Sequence, residues 1–245
     1  MDEKDVLIKC DNIRKSYSGV QVLDGISFEL HKNETMVVLG RSGEGKSVLL
    51  KCIIGLVKPD SGSLEIFGKD ICCLSEKEMI EIRKKVGFLF QGGALYDSMT
   101  VRENLEFPLK RHYSKITKNE LTASVEEVLE QVGLLNAIDK MPSELSGGMQ
   151  KRVALARTLI LKPQIMLYDE PTTGLDPVTS KEISKLIIKM KEFYKMSSLV
   201  ITHDMSCAKT VSDNIYLLKN GKFVKQGSYE SLEKAGESWV KEFFQ

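Results

Sequence analysis

Apolar and polar positions alternate in short runs over the first thirty residues. Val6-Leu7-Ile8, Val20 to Leu23 and Ile26 to Leu30 are separated by turn residues at Tyr17-Ser18-Gly19 and near Asp24-Gly25. That pattern predicts short antiparallel strands. A compact apolar run, Met36-Val37-Val38-Leu39, leads through a Gly-rich turn into a predicted helix from about Lys46 to Ile54. Strand, Gly-rich turn and helix in this order open an α/β unit with a buried parallel sheet.

The middle of the chain changes period. Ser75-x-x-Glu78 is a capping box that predicts a helix to about Lys85. Thr117-x-x-Glu120 predicts another, with Leu121, Val125, Val128, Leu129 and Val132 on one face. A third is predicted from about Gly148 to Leu161, ending before Pro163. No strand pattern interrupts residues 100–160, so this stretch reads as an inserted helical subdomain. Ile165 to Tyr168 then predicts a buried strand. Asp176 reads as an N-cap with Pro177 at the first helical position, ahead of a helix turning Ile183, Ile187, Met190 and Tyr194 inward. Leu199 to Thr202 predicts a further strand, Asn220-Gly221 a hairpin turn, and residues 229–245 short helical segments.

Composition narrows the class. Of 245 residues, 42% are hydrophobic and 28% charged, which supplies a packed core and excludes a wholly disordered chain. The formal net charge of +1 lacks the basic excess of a dedicated nucleic-acid binder, so no nucleic-acid partner is expected. The basic run Lys110, Arg111, Lys115, Lys118 reads as a solvated loop. The longest apolar stretch, Ser47 to Val57, is interrupted by Lys51 and is too short to span a membrane. The charged start, MDEKD, shows no signal peptide, so a cytoplasmic location is expected. Five cysteines without C-x-x-C spacing argue against a disulfide framework and a structural zinc site.

Three segments carry candidate chemistry. Gly40-Arg41-Ser42-Gly43-Glu44-Gly45-Lys46-Ser47, running on into Val48, fits G-x-x-x-x-G-K-S. In such a loop backbone N–H groups wrap a phosphate chain and the helix dipole adds positive potential. Lys46 would neutralise the β- and γ-phosphates, and the Ser47 hydroxyl would ligate Mg²⁺. The Glu44 side chain is expected to face solvent. Asp169-Glu170 ends a buried strand, where one acid can reach Mg²⁺ and its neighbour can accept a proton from water. Leu145-Ser146-Gly147-Gly148-Met149-Gln150 opens a helix. It reads either as a plain N-cap or as a second anion site, for which a single phosphate loop offers no obvious use.

Together these segments resemble the nucleotide-binding subunit of an ABC transporter, and the likeness covers essentially the whole chain. The phosphate loop resembles the family's Walker A, Asp169-Glu170 its Walker B and catalytic glutamate, and Leu145 to Gln150 its LSGGQ signature, with Met149 in place of the usual Gln. Gln91 matches the Q-loop glutamine, Gly174-Leu175-Asp176 the D-loop and His203 the switch histidine. Tyr17, 29 positions before Lys46, resembles the A-loop aromatic that stacks on adenine.

The resemblance implies a P-loop ABC ATPase fold with an N-terminal antiparallel β subdomain. It implies a single domain over 1–245: a core of 1–91 and 162–228, a helical subdomain of about 92–161, and a tail of 229–245. ATP and Mg²⁺ are the implied cofactors. Ser47, Gln91 and Asp169 would lie at the metal, Glu170 would activate water and His203 would contact the γ-phosphate. A head-to-tail homodimer would close each ATP between Lys46 of one copy and Ser146, Gly147 and Gly148 of the other. The implied location is peripheral, on the cytoplasmic face of the cell membrane, against permease subunits.

Gln91 to Val101 and Phe107-Pro108-Leu109 are similar to the ATPases of Mla/Mce-type phospholipid transporters. That branch implies an Mce-domain lipid-binding partner and admits a small regulatory subunit. The alternatives are the ATPase of a small-solute importer, for example for polar amino acids, a lipoprotein-releasing ATPase, and a soluble ABC protein acting on ribosomes or DNA. The last usually carries two cassettes or coiled-coil insertions, which this chain lacks.

Overall fold

The first two strands are longer than the apolar pattern predicts. In the computed structural model, which describes residues 6–235 and Val240, β1 (Val6–Tyr17) and β2 (Val20–His31) pair antiparallel across the Ser18-Gly19 turn. The turn expected at Asp24-Gly25 is a bulge instead. Ile13 faces Ile26 and Arg14 faces Asp24, so the register steps over Gly25, which sits at φ +79°. An extra residue accommodated in this way bends a strand without ending it.

The chain continues through β3 (Thr35–Leu39), α1 (Lys46–Ile53), β4 (Ser61–Ile66), β5 (Lys69–Asp70), α2 (Glu76–Arg83), β6 (Val86–Leu89), α3 (Val101–His112), α4 (Lys118–Gln131) and α5 (Gly147–Leu159). It closes with β7 (Ile165–Asp169), α6 (Pro177–Tyr194), β8 (Ser197–Thr202), α7 (Met205–Val211), β9 (Asn214–Lys219), β10 (Lys222–Gly227) and α8 (Tyr229–Glu233). The capping boxes at Ser75 and Thr117 and the Asp176 cap with Pro177 form as the sequence predicts. The strands β4, β5 and β6 and helix α7 carry no prediction above, and α3 carries only that of the helical stretch 100–160. Of the expected helical tail, residues 236–239 and 241–245 lie outside the described residues.

Two sheets result. One is antiparallel, in the order β2-β1-β4-β5; the other runs β10-β9-β3-β8-β7-β6, parallel from β9 to β6 with β10 antiparallel at its edge. The parallel strands are buried on both faces, which is why they read as unbroken apolar runs. Alternate residues serve different layers. Val37, Leu39, Met166, Tyr168 and Val200 pack toward the layer holding α3 to α7. Met36, Val38, Ile165, Leu167, Leu199 and Ile201 pack toward the antiparallel sheet and α1.

This register aligns the carboxyl ends of four neighbouring strands. Leu39 pairs with Thr202, Ile201 with Asp169, and Tyr168 with Leu89. The loops that follow β3, β8, β7 and β6 therefore emerge along one edge, where ligands bind in open parallel sheets. They begin with Gly40, His203, Glu170 and, after Phe90, Gln91.

Candidate functional site

Among the described residues, α1 is the one α-helix that starts without a side-chain cap; the other seven are capped by Ser75, Thr100, Thr117, Ser146, Asp176, Asp204 and Ser228. Its N-cap, Gly45, has φ +97°, and a Cβ there would lie 2.7 Å from the Val22 carbonyl oxygen. Only glycine fits, because the backbone is left-handed and β2 passes directly behind it. Uncapped N–H groups at a helix start are an anion site.

Lys46 is 5% exposed and curls back over the loop: Nζ donates to the carbonyls of Gly40 at 2.7 Å and Arg41 at 3.0 Å. Its third neighbour is Glu170 Oε1 at 3.3 Å. The Ser47 hydroxyl donates to Asp169 Oδ1 at 3.0 Å. Glu170 is 7% exposed and holds a left-handed φ of +50°, an uncommon conformation outside glycine. The strain is held by several contacts. The Glu170 N–H donates to Ile201 O at 3.0 Å, and Glu170 Oε2 accepts from Thr173 Oγ1 and the His203 N–H, both at 3.3 Å. His203 Nδ1 lies 2.9 Å from the same oxygen. An ionised carboxylate only accepts, so this contact places the imidazole proton on Nδ1.

Ser42, Gly43, Gly45, Lys46, Ser47 and Val48 line one cleft of 370 Å³ together with Val22, Gln91, Glu170, Thr173 and His203. Gly40 and Arg41 contribute from behind, through the carbonyls that hold Lys46. Glu44 departs from expectation. Its side chain is half-buried and accepts a hydrogen bond from the Asn220 N–H in the β9–β10 turn, so it braces the loop from outside. Tyr17 is not among the lining residues; it ends β1 half exposed, with Lys15 Nζ 5.4 Å from its ring centroid.

Ser146 and Gly148 are also absent from this lining. Ser146 Oγ accepts from the Met149 N–H at 3.3 Å and caps α5. Gly148 lets α5 approach α6, since a Cβ there would lie 2.5 Å from Thr179 Cγ2. Gly147 lines a neighbouring 340 Å³ cavity with Gln91, Gln150, Lys151 and Leu175. Three residues of this region have no counterpart in the sequence reading: Val22, Thr173 and Lys151. Neither a strand valine nor a loop threonine carries a motif. Burial pushes the Lys151 ammonium below the ordinary lysine value, partly offset by Asp169 and Glu170.

The oxygen donors of Ser47 and Asp169 suit a hard cation. Among the described residues no group of three or more His, Cys, Asp or Glu could hold a metal alone. Mg²⁺ commonly takes one or two protein oxygens and completes its shell with water and phosphate, so this donor set fits it. Burial pushes the Asp169 carboxyl above the ordinary aspartate range; the Ser47 hydrogen bond acts the other way, and the Glu170 charge adds to the rise.

The folded chain therefore binds that proton more tightly than the unfolded chain. Ionising Asp169 costs stability, and the cost grows as pH rises from the ordinary aspartate value through the raised one. Asp169→Asn is expected to raise the Tm of the metal-free chain by roughly 2–4 °C at pH 7, with the gain shrinking toward pH 4. Calorimetry in chelator checks this; a variant that melts below wild type at pH 7 contradicts it.

Residues 23–173 match the ABC transporter family. The probable ribonucleotide transport ATP-binding protein Mkl of Mycobacterium leprae is 42% identical over 97% of this chain and 68% of its own length. The intermembrane phospholipid transport system ATP-binding protein MlaF of Haemophilus influenzae is 36% identical over 97% of this chain and 89% of its own. The methionine import ATP-binding protein MetN of Campylobacter jejuni is also 36% identical, over 97% and 75%. A solved dimer of the ATP-binding cassette MJ0796, in a post-hydrolysis state with ADP and Pi, superposes with a TM-score of 0.83 at 32% identity, covering 91% of this chain and 99% of that one. With its phosphate loop, paired acids and histidine gathered at one sheet edge, the chain belongs to the ABC transporter family, as an ATP-hydrolysing ATP-binding subunit.

Proposed function

We propose that two copies of this chain, docked head to tail, drive a membrane permease that moves phospholipid. The observation that carries the ATPase part is the convergence of Lys46, Ser47, Gln91, Glu170 and His203 on one cleft that Ser146 does not line. In this reading Ser146 serves the cleft of a second copy, which gives the exposed start of α5 its use. Lys46 and the α1 N–H groups bind the β- and γ-phosphates. Ser47 and Asp169 would hold Mg²⁺ with Gln91 beside it, and the ion would supply charge neutralisation at the phosphates. Glu170 accepts the proton of the attacking water. His203 contacts the γ-phosphate and, through Nδ1–H, orients the Glu170 carboxylate.

Support for phospholipid as substrate comes from the Gln91–Val101 segment and from the extended similarity to MlaF. No helix among the described residues is long and apolar enough to cross a membrane, which fits a subunit attached through permease partners. An Mce-domain lipid-binding protein belongs to the same reading, and a small regulatory subunit is compatible with it. The similarity to a methionine import protein keeps a small-solute importer as the second reading.

The test is affinity capture of the tagged chain from detergent-solubilised native membranes, with proteins and lipids identified by mass spectrometry. A multi-span permease, an Mce-domain protein and bound phospholipid are expected. A permease with a soluble solute-binding protein would replace lipid by small solute. Ribosomes or DNA without a permease would overturn the transport reading.

A further inference from the structure

Lys151 has no place in the chemistry above, yet it is 8% exposed and its Nζ donates to the backbone carbonyl of Gln91. Among the described residues no carboxylate lies within ion-pair distance of it; Asp169 and Glu170 act on it only at longer range. A buried ammonium held this way is costly unless its donors are satisfied. Lys151 thus commits a charge to holding one carbonyl, that of a residue that lines the phosphate cleft.

The same helix holds the next residues of that loop. Gly93 at φ +73° lies flat on α5, where a Cβ would come within 3.2 Å of Ala154 Cβ. Arg157 donates to the Ala94 carbonyl and stacks over Tyr96 at 4.7 Å. Farther along, the fully buried Asn104 side chain binds the Tyr96 N–H and the carbonyls of Tyr96, Met99 and Thr100. Gln91 is therefore fastened to α5, the helix that Ser146 caps.

We infer that Lys151 is a positioning residue for ATP hydrolysis, setting the Gln91 side chain in the cleft through its backbone carbonyl. The inference rests on the ATPase reading of the cleft. Lys151→Met, which keeps an apolar stem where the lysine is buried, is expected to lower kcat about 10-fold, the scale of one lost charge-assisted hydrogen bond, with KM for ATP within about 2-fold. Lys151→Arg should restore most of the loss, because it keeps a donor of similar reach.

The decisive measurement is a double-mutant cycle with Gln91→Ala, using the full chain assembled with its native permease. If Lys151 acts through Gln91, Lys151→Met adds no further loss in the Gln91→Ala background. Additive losses overturn the inference, as does wild-type kcat in Lys151→Met. Wild-type kcat in Gln91→Ala overturns it together with the assignment of Gln91 to the site. If Lys151→Met does not fold, Lys151→Gln, too short to reach the carbonyl, takes its place in the cycle.

Discussion

Glu170→Gln is expected to lower ATP turnover by about 10²–10⁴-fold in the assembled transporter, the usual contribution of a positioned general base. The substitution is nearly isosteric. The amide oxygen can still accept from the His203 N–H and from Thr173, so the left-handed turn at residue 170 keeps its supports. It loses the negative charge that faces Lys46 at 3.3 Å and His203 Nδ1 at 2.9 Å, and with it the capacity to take a proton from water. ATP binding should survive, because Lys46 keeps its two carbonyl partners in the loop. The closed dimer should therefore accumulate on ATP. Single-turnover kinetics with size-exclusion chromatography read both effects. Turnover within a few-fold of wild type would remove Glu170 from the base role and leave it as the anchor of His203 and Lys46.

A comparably large effect is expected when two inactive variants are mixed. Lys46→Ala removes the phosphate cation and Ser146→Arg blocks the start of α5, so each variant alone should hydrolyse at least about 100-fold more slowly, as when a group stabilising the transition state is removed. If each site is made by Lys46 of one copy and Ser146 of the other, a mixed dimer holds one site with both residues intact. Random mixing makes half the dimers mixed, so up to about a quarter of wild-type turnover should return for a two-fold symmetric pair with independent sites. Activity no higher than the mean of the separate variants would argue that each cleft works within one chain. Ser146 would then be only the cap of α5 that its bond to Met149 already makes it.

These expectations draw on different depths of information. The phosphate loop was legible because it is contiguous: glycine, lysine and serine are needed within eight positions, so local spacing carries the chemistry. Strands β3, β7 and β8 were legible because sheets buried on both faces require unbroken apolar runs. Helices α2, α4 and α6 announced themselves by their caps. Helix α3 was foreseen only as part of the helical stretch 100–160, without bounds of its own, although Thr100 and Glu103 form a capping box; Pro108 within it blurs the helical pattern. Strand β6 is four residues long and contains Gly87, which reads as a turn. Its reason is tertiary, since a Cβ at Gly87 would lie 2.4 Å from Met166 Sδ and 2.6 Å from Thr158 Cγ2.

The identities of Lys46, Ser47, Asp169 and Glu170 follow from local order, as do the strand and helix on which each sits. Their distances do not. Ser47 meets Asp169 across 122 positions and Glu170 meets His203 across 33, contacts set by which strands are neighbours and by a register that aligns Leu39, Thr202, Asp169 and Leu89 along one edge. Glu44 turning to Asn220 across 176 positions, and Lys151 turning to Gln91 across 60, belong to the same class. A side chain's type and its secondary structure are encoded nearby in the chain. Its partner depends on how distant elements stack once apolar surface is buried, and no spacing rule over a short window records that.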